Sequence, residues 1–206
     1  MKRLPIIPTT LVLIAVAAMI ALGVWQLQRR VEKEALIARY EANRDLPPMV
    51  YPAQAPVANE AMFRKSRVTC LRVTGWRVTG GATPTGQGGY RHIAECATGA
   101  EGPGALVDMG VAANPAFKPD WRGGTVDGLI TTEPNQASIL GKAFGPASPL
   151  RPMLVADVPA KGLAASAPPS TAGISNNHLA YAVQWFLFAG VALVIYGIAL
   201  RRRAQP

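Results

Sequence analysis

Histidine is scarce in this chain, with only two among 206 residues. Neither His92 nor His178 is accompanied by an acid–base partner or by the glycine-framed serine of a nucleophile elbow. The glycine-rich stretch at 86–89 lacks the lysine and the strand-to-helix context of a phosphate loop, so we interpret it as a turn. Surface charge and turn formation explain the isolated aspartates, which are Asp108, Asp120 and Asp127. We therefore predict that the chain is not an enzyme.

Charge is also sparse, since charged residues make up 16% of the chain and hydrophobic residues 50%. That balance excludes a disordered chain. The net charge of +9 does not form a nucleic-acid patch, because 16 of the 21 basic residues are spread among the 12 acids of the segment 29–177. The other five basic residues lie at the extreme ends and are Lys2, Arg3, Arg201, Arg202 and Arg203. We predict no nucleic-acid partner.

Two long runs have no charged residue at all. The run 4–28 has 25 residues and the run 179–200 has 22. About 20 apolar residues of α-helix span a bilayer core roughly 30 Å thick. A helix is required because lipid offers no hydrogen-bond partners, so the backbone groups must bond to one another. We predict transmembrane helices at 9–28 and 178–200.

A cleaved signal peptide is the alternative for the first run, because Lys2 and Arg3 precede an apolar stretch. That stretch continues to Trp25 without a polar cleavage region, which favours an uncleaved anchor with an interfacial tryptophan. Basic residues near membrane helices stay in the cytoplasm, so we predict cytoplasmic ends at 1–8 and 201–206. The segment 29–177 is then periplasmic and the chain a multi-pass protein of the bacterial inner membrane.

The middle of the chain has the composition of a β-rich domain. Residues 29–40 alternate in charge and extend the first helix, and four prolines then predict an extended linker. The segment 66–78 carries valine, threonine and tryptophan with frequent polar alternation, which predicts a strand. Similar segments, separated by glycine and proline, predict strands at 90–98, 105–111 and 126–132. We predict two transmembrane helices flanking a small β-rich extracytoplasmic domain of α+β type, with an antiparallel sheet or a barrel-like fold. One short helix is expected at Ala137–Phe144 and a flexible linker at Lys161–Ser175.

The two cysteines, Cys70 and Cys96, both lie in this middle segment. In an oxidising compartment they can form a disulfide, and a pair of small buried residues in neighbouring strands is an equal alternative. A third possibility is copper binding by both thiols together with His92. Their spacing is not that of a zinc finger.

The entrance of the second anchor holds the other histidine. On a helix His178, Tyr181, Ala182 and Trp185 share one face, because steps of three and four residues return to the same side. An imidazole at a membrane boundary is costly to bury without a partner, and haem iron is one such partner. The alternative is that Asn177 caps the helix and the other side chains form an interfacial aromatic belt.

Each anchor carries a motif at its outer end. The first motif is Gly23, Trp25, Gln26, Arg29 and Lys33, and the second is Asn177, His178, Leu179, Tyr181, Ala182, Trp185 and Phe186. Together and in this order they resemble the Surfeit locus protein 1 family of cytochrome c oxidase assembly factors, as a divergent bacterial member. Weaker matches in the middle are Gly75, Gly89 and Tyr90. The segment 105–111 departs from the family's asparagine, arginine and tryptophan, which are here Asp108, Met109 and Val111.

The resemblance implies a membrane chaperone that binds haem a and assists its insertion into oxidase subunit I. It implies His178 as the ligand of the haem iron. We expect the apolar ring of a porphyrin at this position to lie among Leu179, Tyr181 and Trp185, with Trp25 and Gln26 of the first anchor at the same depth to close the site. Small residues at Ala182, Ala189 and Gly190 are expected to let the helices approach. Partners would be subunit I and other assembly factors, with haem a synthase as a further possibility. A scaffold for oxidase intermediates that binds no haem is the alternative.

Overall fold

The computed structural model describes residues 5–135 and 148–204. Its internal contacts divide the chain into two compact units. We call residues 1–37 with 172–206 the helix unit, and residues 38–171 the sheet unit. The short helix expected at Ala137–Phe144 lies outside the described residues.

Two long helices contain the apolar runs. Helix α1 spans Ile6–Asn43 and helix α2 spans His178–Ala204. Pro8 is tolerated because it lies in the first turn of α1, where backbone N–H groups have no helical partner. The charged continuation past residue 28 is helical as predicted, and i,i+3 and i,i+4 ion pairs support it: Arg29–Glu32 and Arg30–Glu34.

Both helices are long and apolar enough to cross a membrane, over Ile6–Asn43 and Thr171–Arg203. Most side chains of their apolar stretches are exposed, with Leu13 at 55% and Ile195 at 61%. Such a surface is unfavourable in water and ordinary in lipid. The structure therefore supports membrane insertion.

Within the helix unit the two helices contact each other along a seam of residues spaced seven apart. Val16 and Gly23 are buried on α1, and Ala182 and Ala189 are buried on α2. A seven-residue spacing keeps one narrow face of a helix against its partner. The predicted close packing at Ala182 and Ala189 is confirmed, while Gly190 is exposed and a Cβ there would meet nothing within 4 Å. The prediction for Gly190 was wrong because it lies one position, or about 100° of helix rotation, off the seam.

The sheet unit contains one seven-stranded mixed sheet in the order β1-β2-β6-β7-β5-β4-β3. Its strands are β1 (Met49–Val50), β2 (Lys65–Cys70), β3 (Arg72–Ala82), β4 (Gly88–Ala97), β5 (Ala105–Ala112), β6 (Gly124–Thr132) and β7 (Pro152–Ala156). The pairs β1–β2 and β5–β7 are parallel, and the remaining pairs are antiparallel. The predicted antiparallel sheet or barrel is therefore corrected to a mixed sheet that is open.

The predicted strand at 66–78 is two strands that meet at a corner. Leu71 separates β2 from β3, and its N–H donates to the carbonyl oxygen of Ala97 at 2.9 Å. In the strand order β2 is second from one edge and β3 forms the opposite edge, yet only Leu71 separates them along the chain. The sheet must therefore curl to bring these two strands together. Periodicity alone did not reveal this corner, because the valine and threonine pattern continues through it.

A disulfide joins the curled parts of the sheet. Cys70 at the end of β2 is bonded to Cys96 in β4, with their Cα atoms 5.1 Å apart. Both residues are buried in the main hydrophobic core. Of the alternatives that the sequence left open for this pair, the structure has the disulfide.

The segment after β7 packs on the sheet and is not a free linker. Ala160 and Ala164 donate their backbone N–H groups to the carbonyl oxygens of Met109 and Val111, each at 2.9 Å. Leu163 is buried in the core. Composition suggested flexibility at 161–175, but the first part of this segment, up to Ala167, bonds through its backbone to β5 and to Ala82 of β3.

This segment is also attached to the sheet through a buried carboxylate. Asp108 in β5 is fully buried, and its Oδ1 accepts hydrogen bonds from Ser166 Oγ at 2.7 Å and from the Gly110 N–H at 3.1 Å. The Arg91 guanidinium lies 3.5 Å from Oδ2. Burial raises the pKa of the Asp108 carboxyl, and the nearby Arg91 charge opposes that rise.

Replacing Asp108 by asparagine is expected to change how stability depends on pH. The raised pKa means that folding favours the neutral carboxyl. The Asp108 carboxyl therefore makes its full contribution to the free energy of unfolding below the ordinary pKa of 3.8, and this contribution is lost as pH rises through the raised pKa. Asparagine keeps the acceptor for Ser166 but does not titrate. The free energy of unfolding of the wild type, minus that of Asp108→Asn, should therefore decline with rising pH. Denaturant unfolding from about pH 3 to about pH 7 measures this difference, and a pH-independent difference would contradict the expectation.

Candidate functional site

The candidate site lies where α2 begins, within the helix unit. His178 is the first residue of α2, and the Tyr181 N–H donates to the Asn177 carbonyl oxygen at 3.3 Å in the first turn. The His178 side chain is half-buried. Its Nδ1 lies 2.7 Å from Oε1 of Gln26 on α1, and Gln26 is also half-buried. The two helices are thus joined by a polar contact at this end.

The antiparallel arrangement of the two helices explains why these two residues meet. Gln26 is one turn beyond Gly23 on the buried face of α1, and His178 is one turn before Ala182 on the buried face of α2. At the other end of the pair, Thr9 Oγ1 lies 2.5 Å from the Tyr196 hydroxyl. Polar contacts therefore fix the register at both ends of an otherwise apolar seam.

Gly23 allows the close approach beside the site. A Cβ built on Gly23 would lie 2.6 Å from the Phe186 ring, nearer than real Cβ atoms come to other heavy atoms. This packing role of Gly23 was not predicted from the sequence, where Gly23 is part of a motif. A single glycine in an apolar helix is the feature that could have indicated it.

The structure does not bring the other α1 residue, Trp25, to His178. Consecutive helical residues point about 100° apart, so Trp25 faces away from Gln26 and from the seam. Its side chain is 48% exposed, and the Arg29 guanidinium carbon lies 5.8 Å from its ring centre. Trp25 thus has the surroundings of an interfacial aromatic residue.

The two predicted aromatic residues of α2 lie within two turns of the histidine. Tyr181 is 52% exposed on the helix surface. Trp185 is half-buried and packs edge to face against Phe188, with the ring centres 6.2 Å apart. Leu179 next to the histidine is 45% exposed. His178 therefore stands at the border between the helix seam and an open apolar and aromatic surface.

The second histidine and the cysteines do not form a comparable site. His92 is fully buried, and its ring nitrogens Nδ1 and Nε2 lie 3.0 Å from the carbonyl oxygens of Tyr90 and Phe117. Both sulfurs of Cys70 and Cys96 are bonded to each other. Over residues 5–135 and 148–204, the structure has no group of three or more His, Cys, Asp or Glu side chains that could hold a metal ion. The copper alternative therefore lacks free thiolates and a free imidazole in this structure.

Comparison with known families agrees with the motifs at the two ends of the chain. The model of the SURF1 family matches residues 13–190, which include most of α1, the whole sheet unit and the first part of α2. No curated protein matches the chain. The SURF1 family is a family of cytochrome oxidase assembly factors. Because the match covers most of the sequence and includes Gln26 and His178, the chain belongs to the SURF1 family.

Proposed function

We propose that this protein assists the assembly of haem-copper oxidase by binding haem a at His178 and helping its insertion into oxidase subunit I. The observation that carries the proposal is a half-buried imidazole on a membrane helix whose Nε2 has no hydrogen-bond partner among the described residues. Membership of a family of oxidase assembly factors supplies the biological setting.

The surroundings of His178 fit an amphiphilic porphyrin. A haem supplies an iron that takes an axial imidazole and a flat apolar ring that needs cover from water. The exposed faces of Leu179 and Tyr181 offer apolar and aromatic surface next to the imidazole, and Trp185 lies one turn further along α2. Trp25 would take a weaker part, at the membrane boundary of α1.

One chain offers one imidazole to such a ligand. The sequence has only two histidines, and both ring nitrogens of His92 are engaged by backbone carbonyl oxygens. A haem bound here would therefore be attached to this chain through His178 alone, and a single attachment would favour its release to an acceptor.

The proposed placement follows the distribution of charge. The basic residues at 201–203 would hold the end of α2 in the cytoplasm, and the sheet unit would then lie on the periplasmic side of the bacterial inner membrane. His178 would lie near the outer interface, where it can meet subunit I or a haem a synthase. Tag fusions at both ends test this topology, and a periplasmic C-terminus would overturn it.

The decisive experiment is a visible spectrum of the detergent-purified protein from cells that also make haem a. We expect a stoichiometric haem a band in the wild type and its loss in His178→Ala, which should insert and fold normally. Trp25→Ala should weaken binding less, because Trp25 does not share the seam with His178. Circular dichroism serves as the folding control.

A scaffold without haem is the second candidate function. The His178–Gln26 contact favours it in one respect, because a hydrogen bond between helices is itself a sufficient reason for a histidine at this position. If the wild type and His178→Ala both lack haem a and both co-purify oxidase subunits, the scaffold function replaces the proposal.

A further inference from the structure

We infer that Gln26 is a positioning residue that holds the proton of His178 on Nδ1 and so directs the lone pair of Nε2 toward an incoming metal. This inference rests on the proposed function and concerns the state of the His178 imidazole before a metal binds. Gln26 would act on His178 and would not contact the cofactor directly.

The hydrogen-bond inventory of the two side chains carries the argument. The amide Oε1 of Gln26 only accepts hydrogen bonds, so the atom facing it at 2.7 Å must be the donor. A neutral imidazole has one N–H, and placing it on Nδ1 leaves Nε2 as an unprotonated nitrogen. Only an unprotonated nitrogen can donate its electron pair to a metal.

The helix pair makes this orientation persistent. Gln26 and His178 lie on facing helices whose register is set by the seam of Val16, Ala182 and Ala189 and by the distant Thr9–Tyr196 contact. Rotation of the imidazole would break the Nδ1–Oε1 contact within a half-buried environment, where an unpaired polar group is costly. The ring is therefore restrained before any ligand arrives.

The same arrangement is common at protein metal sites. A histidine that binds a metal usually donates its other N–H to an acceptor, which fixes the tautomer and makes the ligating nitrogen more basic. Loss of that acceptor typically lowers metal affinity about 10- to 100-fold. His92 is a useful contrast, since both its nitrogens face carbonyl oxygens and neither is free.

The first test contains no haem. Nitrogen-15 NMR of the full-length, histidine-labelled protein in detergent should show two imidazoles, and His178→Ala identifies the signals of His178. We expect the Nδ1–H tautomer in the wild type and its loss in Gln26→Leu. Gln26→Glu should retain it, because a carboxylate oxygen also accepts from Nδ1. An Nε2–H tautomer in the wild type, or an unchanged spectrum in Gln26→Leu, would overturn the inference.

The second test measures haem a affinity of the same variants. Gln26→Leu should bind about 10- to 100-fold more weakly, and Gln26→Glu should restore binding. Gln28→Leu is the matched control, because it makes the same substitution at an exposed position of the same helix and should bind as the wild type does. Equal haem a affinity in the wild type and in Gln26→Leu would reject the positioning role of Gln26 but leave the proposed function standing. Absence of haem from the wild type would instead reject the proposed function, whatever the NMR result.

Discussion

Removing the disulfide with Cys70→Ala and Cys96→Ala is expected to lower the free energy of unfolding of the sheet unit by about 2–4 kcal/mol. The bond closes a loop with a sequence separation of 26, so its loss enlarges the unfolded ensemble. It also joins β2 and β4, which lie far apart in the strand order. Alanine avoids placing hydroxyl groups in the buried core. Denaturant unfolding of the full chain, followed by tryptophan fluorescence to which Trp76 and Trp121 of the sheet unit contribute, measures the effect.

The same double variant separates a structural role of the cysteines from the copper alternative. The wild type under reducing conditions is the control and should approach the variant's unfolding midpoint. An unchanged midpoint in the variant would contradict the structural role. If oxidase copper falls in cells carrying a variant that is as stable as the wild type, the copper alternative regains support; normal copper content would remove it.

Replacing Gly23 by leucine is expected to separate the two helices at the site and to abolish haem a binding. Even a Cβ at this position lies 2.6 Å from the Phe186 ring, and the rest of a leucine side chain has no space against α2. Overpacking of a tight contact costs about 1–3 kcal/mol. Displaced helices would also break the 2.7 Å contact between Gln26 and His178. Gly23→Ala should have a smaller effect, because the end of the Phe186 side chain can turn aside.

Gly190→Leu is the matched control for this prediction. It makes the same substitution in the same helix pair, but a Cβ at Gly190 meets nothing within 4 Å. The visible spectrum of co-expressed haem a and the His178 nitrogen-15 signals should change in Gly23→Leu and stay as in the wild type in Gly190→Leu. Wild-type behaviour of Gly23→Leu in both measurements would show that the close packing at Gly23 is not needed for the site.

Local sequence patterns predicted the helices and strands that depend mainly on the residues of their own segment. An uncharged run long enough to span a bilayer predicts a helix without knowledge of its neighbours, and α1 and α2 contain both predicted runs. Short segments with β-forming residues, bounded by glycine and proline, predicted β4, β5 and β6 for the same reason. Strand β7 was missed because its five residues are all buried, which leaves no alternation to detect.

The arrangement of these elements depended on contacts between distant residues. Two strands of identical composition pair in parallel or antiparallel according to the path of the chain between them, so the mixed order of the sheet had no local signal. The approach of Cys70 to Cys96 likewise follows from the curl of the sheet at Leu71. The segment at 161–175 looked flexible because small residues carry no pattern, yet the backbone of Ala164 bonds to Val111 of β5 and that of Ala167 bonds to Ala82 of β3.

At the candidate site, too, local features were predictable from the sequence and contacts between distant residues were not. The sequence by itself determined that the chain has two apolar helices, that a histidine begins the second of them, and that the motifs around it resemble one family. The first two follow from composition and spacing along a single segment, and the third is a resemblance of motifs at both ends of the chain. Only the tertiary structure decided that Gln26, and not Trp25, faces His178. The physical reason is that neighbouring helical residues point about 100° apart, so the packed face of α1 selects which one meets the histidine.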